Sequence, residues 1–379
     1  MNLAQIRLRN ALPFWLSLTV LPFIWLGAAF GGWFVILPPL YAWYMFGLLD
    51  GILGLNRENP DPNTAESELF WYRAITIIWF PVQFLNIFGL IWIVTHTDHL
   101  SVLETIVLFF GIGVSSGTTG MVYAHELLHQ RNNLERWLGD LLLASVLYSH
   151  FRTEHLLVHH KHVGTRRDAV TALYNEGFHH YFGRVLKECP RSAWEAEKAL
   201  LARRGLSPWH PRNPHFRYWT LQILMLIFAT LIGGVAGRFL FMWQALVAIW
   251  QLELTNYVEH YGLTRRHLGG GKYEHVRPHH SWNAAHTATN WLLINLQRHS
   301  DHQYKPDRRV PLLQTYDEDE APQLPYGYTL MGVAAMVPPV WRRMMNPKVK
   351  QWRKRYYPDL DTFEDWEPYK TGTNPLPPL

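Results

Sequence analysis

Six stretches of the chain are long, apolar and nearly free of charge, and polar segments of very unequal length separate them. Ala11 to Phe30 and Trp33 to Leu49 flank Gly31-Gly32. This predicts two membrane helices joined by a tight turn, each close to the roughly 20 residues that a crossing needs. Ala74 to Val94 and Val102 to Tyr123 form a second pair, joined by Thr95-His96-Thr97-Asp98-His99, a linker without Lys or Arg that fits the outer side. Tyr218 to Val235 and Phe239 to Leu254 form a third pair through Gly233-Gly234 and Gly237-Arg238. Arg7 and Arg9 before the first run read as the inner flank of a retained first span. From an inner N-terminus, four crossings then return the chain to the cytoplasm at Tyr123, and six return it at His260.

The intervening pattern predicts smaller features. Gly111 to Gly120 is rich in small residues, which lets neighbouring helices approach closely. An amphipathic helix is predicted around Pro190 to Arg204, ended by Gly205, lying either on the membrane surface or on the protein itself. Leu330 to Val337 is too short to cross and predicts an interfacial segment before the basic, aromatic stretch Trp341 to Tyr357. The expected architecture is all-α, a polytopic membrane protein with about six transmembrane helices and a cytoplasmic histidine-rich domain. Its parts are residues 1–123 (helices one to four), 124–215 (polar), 216–256 (helices five and six) and 257–379 (polar, with the interfacial segment).

Composition sharpens this picture. An apolar content of 48% with 18 Trp is high for a soluble enzyme, yet the mean hydropathy of -0.10 is too low for a chain lying wholly in lipid. The 21 histidines fall mostly between His125 and His302. The single cysteine, Cys189, excludes an internal disulfide and an iron–sulfur cluster held by four cysteines, so any electrons come from another protein. A formal charge of +5 suits cytoplasmic loops facing anionic lipid, and no nucleic-acid module is visible.

The histidines fall in four clusters. His125-Glu126-Leu127-Leu128-His129 puts two imidazoles at i and i+4 where the fourth apolar run ends. In Glu154-His155-Leu156-Leu157-Val158-His159-His160, an α-helix would set His155 and His159 on one face, about 5.4 Å apart along the axis, with His160 turned by about 100°. Two rings would then serve one metal and the third a second metal. His260 stands in Asn256 to Gly262, and His299 and His302 share a helical face in Leu296 to Gln303. Taken singly, each is an ordinary polar or capping residue. Together, at the ends of membrane helices, they point to a dinuclear site. Imidazole suits zinc, copper, iron and nickel alike.

Glu126, Glu154, Glu259 and Asp301 each adjoin a histidine and are candidates to orient its ring. Pairing with Arg131, Arg152, Arg265 or Arg298 is the equal alternative. His125 to His129 also satisfies the H-E-x-x-H pattern of zinc proteases, in which the glutamate is the base. The companion Leu-Asp-Gly motif of intramembrane proteases occurs only as Leu49-Asp50-Gly51, far upstream and in the wrong order.

The series His125 to His129, Glu154 to His160, Asn256 to Gly262 and Leu296 to His302 resembles the histidine boxes of the integral-membrane alkane 1-monooxygenases. More distantly it is similar to the xylene monooxygenases and membrane fatty-acid desaturases. The likeness covers nearly the whole chain, including Pro278 to Asn283, Ala321 to Pro325 and Val337 to Trp341. It implies a non-haem di-iron centre held by His125, His129, His155, His159, His160, His260, His299 and His302. It further implies O2 as co-substrate, hydroxylation of the terminal methyl of a medium or long n-alkane to a 1-alkanol, and electrons from rubredoxin and its NADH-dependent reductase. The location implied is the bacterial inner membrane. The main departure is Gln303, where the family's third box has a second histidine, so one iron would be held less firmly. Leu128, Gln130 and Val158 are smaller departures beside ligands.

Three other readings compete: a related di-iron oxygenase (a xylene-type methyl hydroxylase or a fatty-acyl desaturase or hydroxylase), a zinc protease, and a metal-binding transporter. Tyr41, Trp43 and Tyr44 could set the depth of a substrate channel or form an interfacial belt. Arg342, Arg343, Lys348, Lys350, Arg353, Lys354 and Arg355 could dock an acidic electron carrier or anchor the chain on the inner side.

Overall fold

The computed structural model describes residues 8–269 and 272–359. The chain is mostly helical, with a single small hairpin of β1 (His267–Gly269) and β2 (Lys272–Tyr273) among the described residues. Among the described residues, five helices are long and apolar enough to cross a membrane: α1 (Leu8–Phe30), α2 (Gly32–Leu53), α3 (Glu66–His96), α4 (Val102–His129) and α8 (Pro214–His260). Between and after them lie α5 (Asn133–Ser145), α6 (residues 151–162), α7 (Phe178–Ala202), α9 (Thr287–Leu292), α10 (His299–Tyr304), α11 (Tyr328–Ala335) and α12 (Pro338–Tyr356).

The predicted turns fall where glycine permits them. Gly31 (φ 61°) and Gly32 (φ 55°) occupy the left-handed region between α1 and α2. α8 is one element of 47 residues, but Gly234 breaks it at φ 60°, ψ −147°. Phe88 of α3 touches both Phe228 (centroids 4.8 Å apart) and Phe241 (5.5 Å). A straight helix would separate those two residues by about 20 Å. α8 therefore doubles back on itself as a pair of antiparallel arms.

α4 is the axis of the bundle. Of its most apolar 18-residue stretch, 78% lies inside the protein, against 22–39% for the other four helices. Those four carry most of the apolar surface of the spans, with Trp33 87% and Leu231 78% exposed, as side chains facing lipid would be. α4 starts from a capping box in which the Glu104 amide donates to the Ser101 hydroxyl and the Ser101 amide donates to the Glu104 carboxylate. Its small residues let the second arm of α8 come close: a Cβ on Gly113 would sit 2.5 Å from Val247 Cβ, and one on Gly117 2.5 Å from Gln251 Cβ. Helix packing is thus what the stripe from Gly111 to Gly120 does.

The amphipathic helix starts earlier than predicted, at Phe178, and Pro190 lies inside it. Phe178, Tyr181, Val185, Cys189, Ala193, Glu197 and Leu201 recur every three or four residues on its buried face, and Glu197 accepts from the Thr153 hydroxyl. α7 therefore packs on the protein. Gly205 ends the segment at φ 68°. α11 packs Leu330 against Gly47 of α2. α12 buries Trp341, Met345, Val349 and Trp352 along one stripe and leaves Arg343, Lys350, Lys354 and Arg355 exposed. Asp50 has a structural partner: its carboxylate accepts from the amides of Ala288 and Thr289 and from the Thr289 hydroxyl, capping α9. Leu49-Asp50-Gly51 thus serves a helix terminus. Tyr41 bonds Thr19, and Trp43 donates to Gln251 on α8, so both tie α2 to its neighbours.

Candidate metal centre

α4 and α8 both end in histidine, and α6 and α10 lie against those ends, so four helix segments bring the rings together. Ligand atoms of His125, His129, His155 and His302 lie within 4.8 Å of one another, and those of His159, His260 and His299 do likewise. His160 belongs with the first group. Its Nε2 is 2.9 Å from His155 Nε2 and 3.3 Å from His129 Nε2, while His155 and His129 are 3.0 Å apart.

This grouping corrects the α-helical expectation that pairs His155 with His159. Glu154–His159 is a π-helical turn. Its i to i+5 spacing puts His155 and His160 on one side and turns His159 toward the other. His159 there joins His260, with ring centroids 4.7 Å apart, and His260 Nε2 is 3.2 Å from His299 Nε2. Gln303 completes this half: its amide nitrogen lies 2.7 Å from His159 Nε2 and 3.1 Å from His299 Nε2. A half-turn of the amide would aim Oε1 at the same point.

The arrangement fits metal ions. Each neutral imidazole carries one N–H and one lone pair, so three Nε2 atoms at 2.9–3.3 Å cannot all satisfy one another. Both nitrogens of His125 are buried without a hydrogen-bond partner among the described residues. Two nitrogens bound at right angles to one ion, each about 2.1 Å away, stand about 3.0 Å apart. Burial, and then neighbouring rings, hold His155, His160, His299 and His302 well below the ordinary histidine pKa, so their lone pairs stay free for a cation.

The carboxylates divide differently from the sequence expectation. Glu259 Oε1 lies 3.3 Å from His299 Nδ1, close to that ring but without a hydrogen bond to it. Glu126 instead binds Gln130 (2.9 Å) and Arg309 (3.5 Å), and Asp301 binds Arg308, Tyr316 and the Gln314 amide. Glu154 is buried with neither oxygen bonded among the described residues, and burial, reinforced by Asp168 and Glu253, pushes its carboxyl well up. Arg152 pairs with Asp140, while Arg265 and Arg298 donate to backbone carbonyls. The sequence reading missed Asp168, whose Oδ2 accepts from His159 Nδ1 at 3.0 Å and from the Thr171 hydroxyl. Burial raises this carboxyl, and His159 and Thr171 more than offset it. Nothing in the loop containing Asp168 marks it as a partner of His159.

Two further features border the site. A cavity of about 490 Å³, lined by Arg73, Arg131, Asp307 and Arg309, reaches half-buried His129. Glu274, His279 and His280 form a third group, in which the Tyr357 hydroxyl bonds both His280 and Glu274.

Comparison with known proteins agrees with this geometry. The fatty acid desaturase family model matches residues 100–334, which contain every histidine of both groups. The chain is 37% identical to alkane 1-monooxygenase 2 of Pseudomonas aeruginosa over 314 residues, covering 81% of this chain and 83% of the relative. It is 35% identical to alkane 1-monooxygenase 2 of Alcanivorax borkumensis, covering 85% of each. A more distant relative is the xylene/toluene monooxygenase hydroxylase component XylM of Pseudomonas putida, at 26% identity over 64% of this chain and 63% of the relative. A multi-pass apolar bundle closed by two facing groups of buried histidines belongs, with these relatives, to one family, and the chain is a membrane-bound member of the alkane 1-monooxygenases.

Proposed function

We propose that the chain hydroxylates the terminal methyl of medium or long n-alkanes to 1-alkanols, using O2, two iron ions and electrons from rubredoxin and its NADH-dependent reductase. The observation that carries this reading is the pair of converging histidine groups in a chain similar to alkane 1-monooxygenases over most of its length. His125, His129, His155, His160 and His302 would hold one ion; His159, His260, His299 and Gln303 would hold the other. Bound iron would supply the activation of O2 and the transfer of one oxygen atom to the methyl carbon.

The protein's own part is placement. Asp168 fixes the ring of His159 by a hydrogen bond, and Glu259 stands beside that of His299. The apolar bundle keeps water from the methyl end of the substrate and offers it a route from lipid, where alkanes partition. With α8 counted as two arms, the chain crosses the bacterial inner membrane six times and presents the metal centre to the cytoplasm. The exposed basic residues of α12 then face an acidic carrier.

Purified protein in lipid, loaded with iron and given octane, O2 and reduced rubredoxin, should contain about two irons per chain and form octan-1-ol. Zinc as the sole metal, with no hydroxylation after iron loading, would overturn the reading. The relationship to XylM supports a second reading, hydroxylation of an aromatic methyl group. Octane and xylene supplied in competition, alongside an acyl lipid to expose desaturation, decide between them by product.

A further inference from the structure

Behind the metal centre lies a connected set of buried aromatic rings that the hydroxylation chemistry does not use. His155 stacks on Phe151 at 5.0 Å and 22°, and Phe151 stacks on Tyr148 at 6.1 Å and 25°. The Tyr148 hydroxyl donates to Glu253 Oε1 at 2.8 Å, and the single hydrogen of the Tyr181 hydroxyl is shared between Oε2 of the same carboxylate at 3.2 Å and the Val170 carbonyl at 3.1 Å. Tyr181 meets Tyr257 at 5.3 Å, which meets Trp341 and Tyr261 at 5.3 Å each. Tyr261 ends the run, donating to half-buried Asn346 on α12 at 2.6 Å. Buried tyrosines often need no more than one partner for the hydroxyl. Here two phenols face one buried carboxylate, and that carboxylate bridges two runs of rings, one from a histidine of the first group to Tyr148 and one from Tyr181 to the basic helix.

We propose that this chain is a protective relay, which drains oxidising equivalents from the metal centre when O2 is activated without an alkane in place; the inference rests on the function proposed above. Tyrosine and tryptophan surrender an electron to a strong oxidant but do not accept one from a mild carrier, so traffic along them runs outward. In the first step Tyr148 loses one electron, through Phe151 and His155, to the oxidised centre, and its phenolic proton passes along the existing hydrogen bond to Glu253. A neutral tyrosyl radical and a protonated Glu253 remain, and the centre is reduced by one electron. Tyr181 or the rings beyond it then refill Tyr148 across Glu253, Glu253 returns the proton, and a soluble thiol at half-buried Asn346, one hydrogen bond beyond the buried Tyr261 ring, supplies the last electron and proton. Phe151 is never itself oxidised; it couples the two stacked neighbours.

The test uses the full-length, iron-loaded protein in lipid with O2 and its electron donor, with and without octane. Without octane, rapid-freeze electron paramagnetic resonance should detect a tyrosyl radical that narrows on labelling with ring-deuterated tyrosine. Tyr148→Phe and Glu253→Gln should remove or weaken that signal and shorten the life of the enzyme severalfold under the same conditions. Initial octane hydroxylation by Tyr148→Phe should stay within about twofold of the parent, since the stacked ring is kept. Absence of any tyrosyl radical in the unmodified protein while it consumes O2 would overturn the relay, whether or not a variant folds. So would an unchanged radical and lifetime in Tyr148→Phe. Failure of the unmodified protein to hydroxylate octane would instead count against the proposed function.

Discussion

Five imidazoles meet in one half of the metal centre, and among the described residues no carboxylate bonds to any of them. In the other half only three imidazoles meet, with Gln303 in the fourth place, and two of the three have an acid behind them, Asp168 at 3.0 Å and Glu259 at 3.3 Å. A carboxylate behind an imidazole makes the ring a better donor to a metal and fixes its tautomer. One half thus relies on the number of neutral ligands, and the other on the basicity of fewer. The price of the second arrangement is buried charge, which is tolerable only while each acid keeps its partner.

Removing a ring from the crowded half should have the largest effect. His155→Ala is expected to abolish octanol formation and to cost about one iron per chain, measured by elemental analysis. Retention of both irons would show that His155 is not a ligand. Asp168→Asn leaves His159 in place but withdraws its acceptor, so the second ion should bind about 10- to 100-fold more weakly while the first is unaffected. Titration of metal-free protein with ferrous iron measures this, and an equal loss at both ions would erase the contrast between the halves.

Gln303→His should narrow the contrast by supplying a fourth imidazole. Iron affinity or turnover should rise by a few-fold at most, and graded chelation, which in the parent should remove one iron before the other, should become more nearly a single step. Unchanged iron content, rate and chelation profile would show that the position is not limiting. The smallest effect is expected at Glu126. Its carboxylate is held by Arg309 and Gln130, so Glu126→Gln should keep hydroxylation within about threefold and act mainly on thermal stability, by roughly 1–3 kcal/mol. A loss as large as that of His155→Ala would restore the glutamate to a catalytic role of the H-E-x-x-H kind.

Much of this was legible in the chain, for reasons that are themselves physical. Lipid demands long apolar runs, and tight turns between them demand glycine, so α1 to α4 and the break at Gly234 stand out in the sequence. The grouping of His155, His159 and His160 did not, because reading the segment with the α-helical period assumes a hydrogen-bond pattern that the π turn abandons. Asp168 was hidden by a different cause: it stands nine positions beyond His159, across loop and helix end, and only the fold brings them to 3.0 Å. Arg309 lies far along the chain from Glu126, so the pairing that takes this acid away from the histidines has no local signature. Local pattern thus located the rings, while their division into two groups and the acids behind them came from tertiary structure.

Mössbauer spectroscopy of the protein loaded with isotopically enriched iron tests the division most directly. Two quadrupole doublets are expected, one altered by His160→Ala but not by Gln303→His, the other altered by Gln303→His but not by His160→Ala. A single doublet, or both doublets shifted by each substitution, would contradict a centre built from two unlike halves.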